Sequence, residues 1–192
     1  MGPSKQSRVE SRTRTVRAPL YTPEQRIRRD RTRWTLVQGI LAPIQFLVCI
    51  VSAVLVVRYL NTGQGLAAAN LSVVVKTILL YTIMITGSIW EKVVFDQWLF
   101  AHAFFWEDVV SMGVIALHTF YIFGLTTGSV SARTLMFVAL AAYATYIVNA
   151  VQFILKLRAA RLMERDTALA SAGATATASS RPAARSHAKV MA

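Results

Sequence analysis

The sequence contains a single cysteine, Cys49, and this scarcity removes several kinds of site from consideration. No disulfide can form within the chain, and a CxxC metal site is excluded. The sequence also lacks a glycine-rich phosphate loop, an HExxH motif, and a serine, histidine and aspartate set with a nucleophile elbow. None of the enzyme classes that carry these motifs is therefore indicated.

Charged residues are scarce as well. Only 16% of the 192 residues are charged and 55% are hydrophobic, whereas about 25% charged residues are usual in a soluble domain. Ten of the 21 lysines and arginines precede Trp34, and seven lie from Lys156 onward. Basic ends around an apolar middle are typical of an integral membrane protein. A basic tail for nucleic acid would also suit the net charge of +12, but membrane flanks explain the distribution better, and we expect no nucleic-acid partner.

Four apolar runs predict membrane-spanning helices at about 35–58, 70–90, 99–125 and 132–156. The first run begins too late and is too long for a cleavable signal peptide. Ahead of it, Thr22, Pro23 and Gln25 form the pattern of a capping box, which predicts a short basic helix against anionic headgroups. The predicted fold is all-α: an integral membrane four-helix bundle with a short N-terminal interfacial helix and disordered tails.

This pattern divides the chain into four parts. We expect a disordered basic tail at 1–18, the interfacial helix at 19–34, the four-helix domain at 35–157, and a basic helix end with a disordered tail at 158–192. Disorder is expected from about Asp166. Because both ends are basic, the positive-inside rule predicts that both termini are cytoplasmic. A turn predicted at 91–98 would then lie on the cytoplasmic side of the bundle.

Polar residues within the runs have a simple interpretation. Gln38, Gln45 and Ser52 recur at seven-residue spacing and share one helical face, and Asn149 belongs to a polar stripe in the fourth run. Such groups commonly hold membrane helices together. Lys76, one to two turns inside the second run, is expected to extend to the near interface rather than to serve a site.

One segment, residues 90–118, departs from a lipid-like composition. It holds four of the nine acidic residues, one lysine and two histidines, namely Glu91, Asp96, Glu107, Asp108, Lys92, His102 and His118. Carboxylates within or beside a membrane helix are costly, which makes them candidates for function. Glu91, Lys92 and Asp96 could equally form a solvated turn, and His118 could be a buried hydrogen-bonding histidine or a metal ligand.

Helical spacing places part of this segment on one face. Glu107, Ser111 and His118 lie four and seven residues apart and face the same way, while Asp108 is turned by about 100°. Glu91 lies across the predicted turn, so the three carboxylates are expected to converge. Carboxyl groups crowded in a low dielectric cannot all stay ionised, which would leave at least one as a neutral general acid.

Several blocks of the sequence resemble one family. The segments YTPEQRIRRD, WTLVQGILAPIQF, VVKTILLYTIMITGSIWEKVVF, FFWEDVVSM and AAYATYIVNAVQFILKLRAAR look like the bacteriochlorophyllide vinyl hydratases of phototrophic bacteria, also called 2-vinyl or 3-vinyl bacteriochlorophyllide hydratases. The resemblance covers about residues 18–162. It implies a hydro-lyase of bacteriochlorophyll a biosynthesis that adds water to the 3-vinyl group of a chlorophyllide or bacteriochlorophyllide, giving a 1-hydroxyethyl group.

The resemblance also implies partners and a location. The substrate would be a magnesium chlorin, and a dehydrogenase would take the next step. The protein would be a multi-pass protein of the bacterial inner membrane, either the cytoplasmic or the intracytoplasmic membrane, in contact with lipid. We expect no cofactor and no protein-bound metal, since the magnesium belongs to the substrate.

The chemistry of hydration suggests roles for the segment 90–118. We hypothesise Glu107 as the general acid, with Asp108 or Glu91 as base and charge partner. We expect three contacts to hold the substrate. His118 or His102 would be an axial ligand of its magnesium, and Lys92 or Lys76 would pair with its propionate. Trp106 would stack on the macrocycle. The aromatic side chains could equally form an interfacial belt.

Two other functions stay open on the sequence alone. One is a non-catalytic membrane protein that binds tetrapyrrole or assembles a photosynthetic complex. The other is a proton-coupled transporter with Glu107 and His118 as a relay. Addition of water to the pigment would indicate the hydratase, pigment binding without reaction would indicate the binding protein, and ion flux would indicate the transporter.

Overall fold

The computed structural model describes residues 20–179, with side chains described through residue 173. The disordered tail expected at 1–18, and residues 180–192 of the other tail, lie outside the described residues. Five helices follow one another: α1 Pro23–Arg31, α2 Arg33–Thr62, α3 Leu66–Phe95, α4 Phe105–Thr127 and α5 Ala132–Ser179. Helices α2, α3, α4 and α5 are long and apolar enough to cross a membrane. The prediction of an all-α, multi-pass four-helix bundle with a short N-terminal helix is confirmed.

Local capping explains where α1 begins and ends. The hydroxyl of Thr22 accepts a hydrogen bond from the backbone N–H of Gln25 at 3.3 Å, and the Gln25 side chain accepts one from the N–H of Thr22 at 2.9 Å. Pro23 occupies the first helical turn, where its missing N–H costs nothing. Thr32 then ends α1 and caps α2 through the N–H of Trp34. The predicted capping box is confirmed.

The bundle consists of two helical hairpins. Helix α2 packs mainly on α3 and α4 mainly on α5, while contacts between α2 and α5 and between α3 and α4 close the bundle, and α1 lies against α3. Gly63 and Gly65, both with positive φ, allow the short turn between α2 and α3. Large apolar side chains such as Leu36, Leu71 and Ile154 are exposed on the outer surface, as expected for helices surrounded by lipid.

Two apolar clusters lie at opposite ends of the bundle. The larger one surrounds Val56, Val73, Tyr121 and Met136. The smaller one consists of Tyr21, Val94 and Phe104. We call the second end, which contains Glu91, Asp108 and Lys156, the charged end of the bundle.

Helix α3 is longer than predicted, and this changes the surroundings of the charged residues. The chain stays helical through Phe95, because the completely buried Val94 packs on Phe104 and Tyr21. Glu91 and Lys92 therefore lie in the last two turns of α3, and the prediction of a turn beginning at residue 91 is wrong. Asp96 ends the helix with a φ of 63°.

The start of α4 and the end of α5 also differ from the sequence prediction. Helix α4 begins at Phe105 rather than near residue 99, since the preceding segment is fixed by hydrogen bonds to the carboxylates of α3 and α4. Helix α5 continues beyond Asp166 to Ser179, where disorder was expected. The alanine-rich sequence of that stretch has high helix propensity, which outweighs its lack of an apolar face.

Candidate active site

Glu91 and Asp108 form a buried carboxyl pair at the charged end. Glu91 comes from the end of α3 and Asp108 from the first turn of α4, with exposed fractions of 5% and 3%. Asp108 Oδ2 accepts a hydrogen bond from the N–H of Phe100 at 2.8 Å, and Glu91 Oε2 accepts one from the N–H of Ala101 at 3.3 Å. The two carboxyl groups lie close enough to interact electrostatically. We call these two residues the carboxyl pair.

The chain between α3 and α4 covers this pair. Phe100 has a φ of 59°, which turns its N–H toward Asp108. Phe104 is buried among aromatic rings whose centroids lie 5.6 to 6.5 Å from its own: Tyr21, Trp90, Phe95 and Phe153. The aromatic packing and the backbone hydrogen bonds together fix the loop over the pair.

Glu107 has a different environment from its neighbour Asp108. Its Oε2 accepts a hydrogen bond from Nζ of Lys156 on α5 at 2.6 Å. Successive helical residues are turned by about 100°, so Glu107 faces α5 while Asp108 faces the interior. Of the three predicted acidic residues, the structure therefore brings Glu91 and Asp108 together and gives Glu107 a lysine partner.

An elongated cavity of about 840 Å³ adjoins the carboxyl pair. Its upper rim carries Arg29, Arg161 and Glu164, its middle contains Glu91 and Asp108, and its floor is formed by residues of all four long helices: Gln45, Leu80, Val114 and Tyr146. Most of the remaining wall is apolar. The volume lies in the usual range for small-molecule sites, roughly 300–1,000 Å³.

A few polar side chains interrupt the apolar wall. Asn149 Nδ2 donates a hydrogen bond to Oγ of Ser111 at 2.7 Å, while Asn149 Oδ1 has no partner. Ser111 lies one turn from Asp108 on α4, so its hydroxyl is on the same side of the helix. Gln38 donates to the hydroxyl of Thr86 at 2.8 Å. The wall thus offers both donors and acceptors near the carboxyl pair.

Tyr21 forms part of the upper wall, outside the membrane-spanning helices. Its hydroxyl is buried without a hydrogen-bond partner. Burial raises the pKa of Tyr21, while the Arg29 guanidinium, 4.7 Å from the ring centroid, acts in the opposite direction. The phenol is therefore a neutral donor at the cavity rim.

The remaining predicted site residues do not line this cavity. His118 is buried, with Nδ1 2.8 Å from the carbonyl oxygen of Val114 and Nε2 without a partner. His102 is exposed, and Lys92 donates a hydrogen bond to Asp96 at 2.7 Å. Trp106 is 69% exposed on the outer surface. Their predicted roles in substrate binding stay predictions.

Lys76 differs from its sequence interpretation. It is completely buried, and its Nζ lies 3.6 Å from the centroid of the Tyr146 ring. The expectation that it extends to the near interface is wrong, because its side chain turns into the bundle and lies against the Tyr146 ring. Within residues 20–179, no three His, Cys, Asp or Glu side chains are grouped to hold a metal ion.

Three residues near the site had no assigned role in the sequence analysis: Gln45, Asn149 and Lys156. Gln45 and Asn149 carried a signal, since each belongs to a polar stripe on an otherwise apolar helix. No sequence signal pointed to Lys156. Its partner Glu107 lies 49 residues away in the chain, and a lysine is common in the basic flank of a membrane helix whether or not it has a role in a site.

The model of the family described as 2-vinyl bacteriochlorophyllide hydratase matches residues 21–159. The chain belongs to the 2-vinyl bacteriochlorophyllide hydratase family. This match confirms the resemblance noted from the sequence. The residues of this hydratase-family chain that match include α1 to α4 and the part of α5 up to Leu157, which lines the cavity.

Two curated relatives carry the same name. The 2-vinyl bacteriochlorophyllide hydratase of Rhodobacter capsulatus is 66% identical over 146 residues, which cover 76% of this chain and 85% of the relative. That of Cereibacter sphaeroides is 67% identical over 143 residues, covering 74% of this chain and 89% of the relative. No solved structure matches the chain.

Proposed function

We propose that this protein is a hydro-lyase that adds water to the 3-vinyl group of a chlorophyllide or bacteriochlorophyllide and so produces the 1-hydroxyethyl group. The observation that carries the proposal is the buried carboxyl pair of Glu91 and Asp108, which opens into a largely apolar cavity of about 840 Å³. The names of the relatives support the substrate class. The product is proposed to feed bacteriochlorophyll biosynthesis.

The first chemical step is protonation of the alkene. Two neighbouring carboxyl groups that are both buried cannot both stay ionised, so one of them carries a proton. That acid transfers its proton to the terminal carbon of the vinyl group, which places a cation on the inner carbon beside the macrocycle. Conjugation with the macrocycle spreads this charge, and the ionised partner carboxylate stabilises it at close range.

The second step is capture of the cation by water. A water oxygen forms a bond to the inner carbon, and the carboxylate accepts a proton from that water. The carbon–carbon π bond is replaced by one C–H and one C–O bond, and one carboxyl group is again protonated and the other ionised. The reaction transfers no electrons, so we propose that it uses no cofactor.

The hydrogen bonds support different roles for the two carboxyl groups. Asp108 accepts the shorter backbone hydrogen bond, 2.8 Å against 3.3 Å for Glu91, and lies in the first turn of α4. Backbone N–H donors and a helix N-terminus both stabilise a carboxylate. We therefore assign Glu91 as the acid and Asp108 as the base, and Ser111 with Asn149 as the pair that orients the attacking water.

Glu107 was the acid in the hypothesis from sequence. Its ion pair with Lys156 and its orientation toward α5 favour a positioning role instead, in which it holds the start of α4 against α5. Axial contact of His118 or His102 with the substrate magnesium, contact of Lys92 with the propionate, and stacking on Trp106 stay predictions.

We further propose that the charged end of the bundle faces the cytoplasm and that the membrane is the bacterial inner membrane. A flat pigment precursor with one charged edge partitions to the interface, where the basic rim of Arg29 and Arg161 is placed. Substrate would then enter from the lipid side of the interface, and product would be released there to a dehydrogenase.

Hydration of a vinyl-bearing chlorophyllide tests the proposal. Membranes containing the protein should convert it to a product heavier by one water, measured by mass spectrometry. Glu91→Gln and Asp108→Asn should each lower turnover by roughly 10²- to 10⁴-fold, while Asp166→Asn, an exposed carboxylate outside the cavity, should not. Glu107→Gln should keep most of the activity.

Each alternative gives a different result in the same preparation. Substrate that binds without gaining water would indicate a non-catalytic tetrapyrrole-binding or assembly protein and would overturn the proposal. Loss of turnover in Glu107→Gln, with Glu91→Gln active, would restore Glu107 as the acid. Ion flux in liposomes that depends on Glu107 would indicate a transporter.

A further inference from the structure

A second group of buried polar atoms lies deeper in the bundle than the carboxyl pair. Lys76 is completely buried and Gln45 is 1% exposed. Nζ of Lys76 and both side-chain polar atoms of Gln45 have no hydrogen-bond partner. A buried polar group without a partner is costly, and a lysine within a membrane bundle is especially so. These atoms therefore need a partner that the described residues do not supply.

Gln45 lines the floor of the cavity, and Lys76 lies beneath that floor, against the ring of Tyr146. Gln45 and Tyr146 both line the floor, and Nζ of Lys76 lies 3.6 Å from the centroid of the Tyr146 ring. Lys76 precedes the floor residue Leu80 by four residues, so both lie on the same side of α3. A ligand that reaches the floor is thus separated from Lys76 by little more than one aromatic ring.

Lys76 has no anionic partner among the ion pairs of the described residues. The ionisable side chains that influence it are Cys49 and His118, and neither is a carboxylate. Among the described residues, no carboxylate therefore balances the charge of Lys76 beneath the floor of the cavity.

The cavity has the length to bring a ligand oxygen to this floor. Its wall along α3 runs from Glu91 to Leu80, eleven residues or roughly 16 Å of helix. That length is comparable to the width of a substituted tetrapyrrole. A macrocycle with its vinyl group at the carboxyl pair would place its opposite edge, which carries oxygen substituents, at the floor.

We propose that Gln45 donates a hydrogen bond to an oxygen of the tetrapyrrole at the floor of the cavity, that the charge of Lys76 beneath the Tyr146 ring attracts the same oxygen, and that this contact orients the vinyl group toward Glu91 and Asp108. The oxygen belongs either to the ketone of the fifth ring or to the propionate carboxylate. The inference rests on the proposed function and adds to it the residues that select and orient the substrate. Both residues are positioning residues, since they act far from the reacting carbons.

Binding measurements test the inference separately from turnover. The full chain in nanodiscs is titrated with a vinyl-bearing chlorophyllide, and the dissociation constant is read from pigment fluorescence. Gln45→Leu should weaken binding by roughly tenfold or more, as expected for loss of a hydrogen bond to a buried partner. Lys76→Met should also weaken binding, because it removes the charge beneath the Tyr146 ring. Thr77→Val is the matched control, because the Thr77 hydroxyl bonds only the carbonyl of Val73 in its own helix.

Two analogues identify the oxygen. If the propionate is bound, its methyl ester should bind wild type weakly and show no further loss in Lys76→Met. If the ketone is bound, an analogue reduced at that carbonyl should bind wild type weakly and show no further loss in Lys76→Met. The methyl ester should then show that further loss. For both analogues, the loss of affinity caused by the analogue and the loss caused by the substitution could simply add. Such additivity would mean that these side chains interact with neither oxygen, and would overturn the inference.

Stability separates recognition from packing. Since methionine removes an unpartnered polar group, Lys76→Met should unfold at the same temperature as wild type or higher. Weaker binding with unchanged or raised stability supports recognition, whereas unchanged binding overturns it and leaves the proposed hydration intact. Wild-type protein that neither binds nor hydrates the pigment would overturn both.

Discussion

At the scale of single residues, neighbouring carboxylates have opposite environments because of the helical turn between them. Glu107 and Asp108 are adjacent in sequence, yet Glu107 pairs with Lys156 and Asp108 accepts a hydrogen bond from the backbone N–H of Phe100. Burying a carboxylate is costly unless it has such partners. The WED segment therefore contains one acidic group paired with α5 and one that lies beside Glu91 in the cavity, and composition alone cannot tell them apart.

The ion pair of Glu107 and Lys156 should be measurable as stability. Lys156→Met leaves a carboxylate, 8% exposed, without its partner, and we expect it to lower the free energy of unfolding by about 2–4 kcal/mol. The double variant Glu107→Gln with Lys156→Met should recover most of that loss, since no unpaired charge remains. Thermal unfolding in detergent measures both.

A matched surface pair provides the control for this experiment. Lys92 and Asp96 form an ion pair with 39% and 80% exposed side chains, and exposed pairs contribute little. Lys92→Met should therefore change stability far less than Lys156→Met. Equal losses for the two variants would contradict the view that burial makes the Glu107 pair important.

At the scale of helices, the close approach of α4 and α5 depends on a glycine. A Cβ atom at Gly124 would lie 2.9 Å from Cδ2 of Leu135 and 3.0 Å from Cγ2 of Val130. The leucine methyl can rotate away, but the branched valine is stiff. We expect Gly124→Ala to destabilise the bundle by about 1–3 kcal/mol through overpacking, measured by thermal unfolding.

Gly113 on the same helix is the control. A Cβ atom there would have no heavy atom within 4 Å, so Gly113→Ala should be neutral or slightly stabilising. Because both variants change the same residue type on α4, their difference reports the contact with α5 rather than helix propensity. A destabilised Gly113→Ala beside a neutral Gly124→Ala would contradict the packing described for this hairpin.

The sequence predicts the helices better than it predicts their contacts. Apolar runs and the capping box at Thr22 are local signals, and they gave four spans and α1 correctly. The end of α3 was misplaced, since Val94 remains helical through packing on Phe104, which lies ten residues further along the chain. The partner of Glu107 and the burial of Lys76 depend on contacts between distant helices, for which a single sequence carries no signal.

At the scale of the whole molecule, basic residues are distributed unequally between the two ends of the bundle. The charged end carries the arginines of α1 and the start of α2, and on α5 Lys156, Arg158 and Arg161, whereas the opposite end has Arg58 and Arg133. Such an excess favours retention on the cytoplasmic side. The distribution therefore predicts that the charged end, with its carboxyl pair, faces the cytoplasm.

Reporter fusions measure this orientation. Fusions after Arg31 and after Arg165 should be active only with a reporter that requires the cytoplasm, and fusions in the turns at Gly63 and Gly128 only with one that requires the periplasm. The turn fusions are the control for membrane insertion. Because the cavity rim carries Arg29 and Arg161, the opposite result would place the rim on the periplasmic side and would contradict the proposed entry of substrate from the cytoplasmic side.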